Sequence, residues 1–282
     1  MSLTTIQNDF LKVTISDLGA EIQSIRDKDG VERLWQGDPA FWAGRAPIMF
    51  PICGGLKEDA YLMDGVRYPM EKHGFARKAV WSLEAADETS AVYLLTEKRE
   101  GFPFAYELRA RYALRENALT ITYEVKNKDD RAFCFGIGSH EAYQTPGGLE
   151  ACAIEFAQTE RIANQPVVGN LIETEPAVIL EQADRLPLKT EYFAVDALVF
   201  PHLKSRSVTL TSAVTDKKIR VDFEGMDVLM LWTKPGAGYI CIEPWTNAPD
   251  YVDADMNIEH KPGVIRLEPG QTAVRSHTIT VL

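Results

Sequence analysis

Apolar and polar residues alternate with a period of two along most of this chain. Leu11, Val13 and Ile15 alternate with Lys12 and Thr14. Leu108, Ala110 and Tyr112 alternate with Glu107, Arg109 and Arg111, and Leu119, Ile121, Tyr123 and Val125 with Thr120, Thr122, Glu124 and Lys126. Side chains on a strand point to opposite faces in turn, so each run reads as a strand with one buried face. The short turn Arg115-Glu116-Asn117 between the last two runs predicts a β-hairpin. Similar patterning predicts strands over 92–96, 208–211, 219–223, 228–232 and 274–281. Helical spacing is scarce, and the best candidate is a short helix over 176–184. Many strands joined by turns predict an all-β protein of mostly antiparallel sheets, packed as a sandwich or barrel. No repeat or low-complexity linker divides residues 1–282, so a single domain is expected.

Composition narrows the class. The chain is 45% apolar and 25% charged, as expected of a globular protein with a sizeable core. Its net charge of −11 argues against a duplex-binding face and against anionic membrane surfaces. The four cysteines, Cys53, Cys134, Cys152 and Cys241, are far apart and form no C-x-x-C pair. Neither a disulfide framework nor a cysteine metal site is expected, and Cys134 and Cys241 read as buried thiols within strands. No apolar stretch reaches the length of a membrane span, and residues 1–11 lack the apolar region of a secretion signal. A cytoplasmic location is the simplest expectation.

The candidate chemistry lies in a few irregular segments. In Tyr239-Ile240-Cys241-Ile242-Glu243-Pro244-Trp245, alternation places Tyr239, Cys241 and Glu243 on one face and the isoleucines on the other. Pro244, which has no N–H to donate, is expected to end the ladder, leaving Glu243 at a strand end beside Trp245. A carboxylate beside an aromatic ring suits a sugar, which offers hydroxyls to one and C–H faces to the other. In Phe135-Gly136-Ile137-Gly138-Ser139-His140-Glu141, Gly136 and Gly138 share a face with His140, and their missing side chains suggest either a cavity beside the imidazole or a close sheet contact. In Lys72-His73-Gly74, the glycine admits a close neighbour to the backbone. Arg45-Ala46-Pro47-Ile48-Met49-Phe50-Pro51 is apolar but carries two prolines, so it reads as a sheet edge or an irregular wall. Asp196 is a lone acid in an apolar run and, if buried, needs a partner. His202, His260 and His277 carry no signal of a role.

Taken in order, Arg-Ala-Pro-x-x-Phe-Pro from Arg45, His-Gly-Phe-Ala-Arg from His73, Gly-x-Gly-x-His ending at His140, the Asp-Ala-Leu of Asp196 and Ile-Glu-Pro-Trp around Glu243 resemble the aldose 1-epimerase (galactose mutarotase) family. The likeness is nearest to its lactose-operon X-protein branch and runs from about residue 8 to the C-terminus. The resemblance implies a β-supersandwich with a sugar cleft on one sheet. It also implies His140 as catalytic acid, Glu243 as catalytic base, and His73 and Asp196 as substrate-binding residues, with Trp245 stacking on the sugar ring. Arg45 is the nearest match to the family's active-site arginine, although the Gly-Arg-x-x-Asn-Arg segment of the galactose enzymes is missing. The His-Gly-Phe-Ala-Arg segment is similar to that of hexose-6-phosphate epimerases, where Arg77 would meet the phosphate with Arg45, Lys57 and Lys72 as further candidates. The implied reaction interconverts the α and β anomers of an aldose without a metal or an organic cofactor. A sugar phosphate epimerase, a non-catalytic sugar-binding protein and a glycosidase using Asp196 and Glu243 are the alternatives.

Overall fold

The computed structural model describes residues 1–282. Its centre is a nine-stranded sheet in the order Ala177–Pro187, Cys152–Asn164, Ser207–Ser212, Thr215–Asp222, Thr272–Val281, Ala118–Asn127, Tyr106–Arg115, Ser90–Leu95 and Ser82–Ala86. A second sheet runs Leu198–Phe200, Val228–Trp232, Tyr239–Trp245, Gly138–Ser139 and Ile48–Met49, with Glu141–Gln144 also paired to Tyr239–Trp245. Leu3–Gln7, Leu11–Ser16 and Ile22–Asp27 form a third sheet. Pairing between the strands of these sheets is antiparallel throughout. The expected all-β architecture of antiparallel sheets is therefore present, and no helix is long and apolar enough to cross a membrane.

Period-two patterning explains how these layers meet. Ala118–Asn127 alternates between buried and half-buried residues along its whole length. Its partner Tyr106–Arg115 turns into it through Glu116 and Asn117, with Glu116 at a φ of +51°. Leu108, Ala110, Ile121, Tyr123 and Ile279 from the large sheet join Leu229, Leu231, Ile240 and Ile242 from the second in one apolar core. Ile240 and Ile242 thus anchor their strand to the core, which leaves Tyr239, Cys241, Glu243 and Trp245 for the opposite face.

Two expectations are corrected. The segment expected as a helix over 176–184 belongs to the edge strand Ala177–Pro187. Its pairing with Cys152–Asn164 shifts register at several bulges, and each bulge resets which face a side chain occupies. Ile179, Leu180, Ala183 and Leu186 therefore meet the core with a spacing that mimics a helix. Pro244 likewise does not end its ladder, because Leu229 pairs with Pro244 and Val228 with Trp245. The adjacent strand is itself interrupted at His140, between Gly138–Ser139 and Glu141–Gln144, one position from Pro244. The Arg45 segment does form an edge, since Ile48–Met49 is the last strand of its sheet.

Candidate active site

Strand register brings the two principal candidates together. Gly138 pairs with Trp245 and Glu141 with Ile242, so the same register sets His140 directly opposite Glu243. The Nε2 atom of His140 lies 3.3 Å from Oε2 of Glu243. Neither carboxylate oxygen of Glu243, nor Nδ1 of His140, has a hydrogen-bond partner. Buried polar groups are almost always paired, so this couple holds open capacity for hydrogen bonds.

Burial sets the protonation of the couple. It pushes the Glu243 carboxyl well above the usual carboxylate range, with the charges of Glu141 and Asp196 adding to the rise and Lys72 opposing it. It also pushes His140 down to about 3, helped by the positive charges of Lys72 and Arg77. Both shifts have one cause, since a charge is costly away from water. Both shifts favour the uncharged forms, a protonated carboxyl beside a neutral imidazole, so that one can give a proton while the other takes one.

A cleft of about 490 Å³ opens on the couple. Lys72, His73, Arg77, His140, Asp196 and Glu243 line it, and Trp42, Trp232 and Lys234 join them. His73 has a φ of +68°, a conformation uncommon outside glycine and often found at functional sites. Its Nδ1 accepts the Gly54 amide N–H at 3.1 Å, and burial keeps the ring neutral, so Nε2 carries the hydrogen and can donate. Gly74 has no room for a side chain, because a Cβ there would lie 2.2 Å from the Phe50 carbonyl oxygen. Asp196 is half-buried, and its Oδ1 accepts the Ala197 N–H at 2.8 Å.

Two expectations change here. Arg45 does not line the cleft. Its guanidinium donates to Gln23 Oε1 at 2.9 Å and to the Gln36 carbonyl at 2.8 Å, which ties the entry loop to the small sheet. Trp245 is 1% exposed, lies edge-on to His73 and donates its indole N–H to the Ser139 carbonyl at 2.9 Å. It is part of the floor rather than a face on which a ring could stack. Of the two readings of Gly136 and Gly138, the close contact holds, because a Cβ on them would collide with Asn247 and Trp245. Of the cations considered for a phosphate, Lys72 and Arg77 reach the cleft, whereas Lys57 donates to the Ala254 carbonyl elsewhere.

Sequence reasoning missed Trp42, whose ring lies 4.9 Å from that of His140, and Trp232, edge-on at 5.6 Å. Trp232 was already legible as the last residue of a strand on the cleft side of the sheet, whereas Trp42 comes from a loop with no periodic signal. It also missed His277, which crosses from the large sheet to Glu141 at 3.0 Å, while Ser139 Oγ donates to the other Glu141 oxygen at 2.7 Å. A larger cavity of about 820 Å³ shares Pro249 with the cleft but lacks both His140 and Glu243.

The model of the aldose 1-epimerase family matches residues 2–280. The chain belongs to the aldose 1-epimerase family. The plasmid-borne protein LacX of Lactococcus lactis subsp. lactis is 33% identical over 98% of both chains. The galactose mutarotase related enzyme of Lactobacillus acidophilus is 30% identical, with a TM-score of 0.92 over 100% of this chain and 97% of its own. A galactose mutarotase-like protein of Lactobacillus casei superposes as well, at 26% identity and full coverage of both chains, with a TM-score of 0.92.

Proposed function

We propose that this member of the family is an aldose 1-epimerase that interconverts the α and β anomers of a free aldose. The observation that carries this reading is the His140–Glu243 couple, buried at 3.3 Å and open to a sugar-sized cleft. In its reactive form the shared proton is on His140. Glu243 takes the proton of the C1 hydroxyl, the C1–O5 bond breaks to leave the aldehyde, and His140 gives its proton to O5. After rotation about C1–C2 the steps run in reverse and the ring closes on the other face. Each group, as a positioned acid or base, contributes about 10²–10⁴-fold, or together roughly 5–11 kcal/mol. His73 donates to a sugar hydroxyl and Asp196 accepts from one. Trp42 and Trp232 supply the apolar walls. Binding alone needs no buried acid and base, which supports an enzyme over a sugar-binding protein.

A second reading, a sugar 6-phosphate as substrate, is favoured by one observation. Lys72, Arg77 and Lys234 line the cleft of a protein whose net charge is −11. Polarimetry on α-anomers with and without a 6-phosphate tests both readings. Acceleration of free-aldose mutarotation is the expected result, and no acceleration of either class would overturn the assignment.

A further inference from the structure

We propose that His140, Cys241 and Glu243 form a site for a thiophilic divalent cation, such as Zn²⁺ or Cd²⁺, whose binding closes the cleft to its sugar. Cys241 precedes Glu243 by two residues on the same strand face, and His140 is opposite Glu243 across the ladder. One nitrogen, one sulfur and one carboxylate oxygen from these residues lie within 4.8 Å of one another. Ligand atoms around a tetrahedral zinc ion are about 3.3–3.7 Å apart, so closure requires side-chain movements of about an ångström. This mixed nitrogen, sulfur and oxygen set suits zinc and cadmium and is poorly suited to magnesium or calcium, which prefer oxygen alone.

The surroundings favour a cation of this charge. Both Glu243 oxygens are buried without a hydrogen bond. Binding expels the Cys241 thiol proton and the proton held by the His140–Glu243 couple. The resulting thiolate and carboxylate together neutralise a divalent ion, which removes much of the cost of burying either charge. The ion enters from the cleft, where the His140 side chain is 12% exposed, and a water completes the coordination on that side. Trp35, Tyr239 and Ala142 pack around Cys241 behind it. Lys72 and Arg77 oppose binding and set its affinity below that of a dedicated zinc site. The block of turnover rests on the roles proposed for His140 and Glu243, but the binding does not.

The test separates the two. Cobalt(II) titrated into the full chain is expected to give one thiolate-to-cobalt charge-transfer band with tetrahedral visible absorption. Calorimetry with Zn²⁺ in buffers of different ionisation enthalpy should report release of protons on binding. Cys241→Ala, with Cys241→Ser as a second variant in case the smaller side chain unsettles the strand, should lose the band while keeping its mutarotase activity. Either variant should need at least about tenfold more Zn²⁺ for half-inhibition. His140→Asn should lose the band as well. Unchanged zinc affinity in both cysteine variants, or no thiolate band in the parent protein, would overturn the site. A clear band in a protein that accelerates no sugar would leave the site standing and remove the functional reading instead.

Discussion

Glu243 combines the position proposed for the base with an unfavourable one. Its folded-state pKa is raised by burial, so the folded protein holds a proton that the unfolded chain releases above about pH 4.5. Its contribution to stability is therefore full below that value and is lost as pH rises toward the folded pKa. Glu243→Gln should abolish this term. Relative to the parent, the variant is expected to gain up to about 1.4 kcal/mol per pH unit above 4.5 in urea unfolding. The same variant should lose about 10²–10⁴-fold in kcat, because an amide accepts hydrogen bonds but takes no proton. A variant with parental turnover would show that another group is the base. Arg45 carries the opposite expectation. Its hydrogen bonds go to Gln23 and Gln36, away from the cleft. Arg45→Ala should lower the unfolding midpoint, leaving kcat and KM for the sugar within about twofold, whereas a tenfold or larger rise in KM at unchanged stability would restore it to the site.

At the scale of elements, the strand that carries His140 is fastened from behind. His140 faces the cleft, so Ser139 and Glu141 face the core, where both are buried. His277 from Thr272–Val281 meets Glu141 at 3.0 Å, and Tyr123 stacks against the imidazole with centroids 5.9 Å apart. A buried pair of this kind seldom adds net stability over an apolar replacement, but removing one partner strands the other. Glu141→Ala is therefore expected to cost about 3–5 kcal/mol in denaturant unfolding. The double change Glu141→Leu with His277→Phe should recover most of that loss, and near-additive losses would instead show that the two side chains do not act as a pair.

Over the whole molecule, charge is distributed unevenly. Acidic residues outnumber basic ones 41 to 30, yet the cleft gathers Lys72, Arg77 and Lys234. A neutral aldose feels no long-range field, so its kcat/KM should change less than about twofold between low and moderate salt. A dianionic sugar phosphate would be steered by the local cations and repelled by the remaining surface, and its rate would depend on salt. Glucose is expected to be the better substrate by kcat/KM. A preference of about a hundredfold or more for glucose 6-phosphate, lost in Arg77→Ala, corresponds to about 2.7 kcal/mol and would reverse that choice.

Period-two alternation made the strands, the all-β class and the two faces of Tyr239–Trp245 legible from the sequence, because each half-buried strand records its own burial. Short segments around His73, His140, Asp196 and Glu243 pointed to the family because they stand in its order along the chain. Register and orientation were beyond that reading. The pairing that sets His140 opposite Glu243 joins strands about a hundred residues apart, and no local pattern encodes it. Bulges along Cys152–Asn164 gave its partner strand a helical spacing, and the break at His140 let a ladder continue through Pro244. Only the fold could turn Arg45 toward Gln23, bury the indole of Trp245 in the floor, bring Trp42 and Trp232 to the couple, and bring His277 to Glu141 behind it. Alternation reports which face of a strand is buried, but what that face meets depends on side chains brought from elsewhere in the chain by tertiary packing.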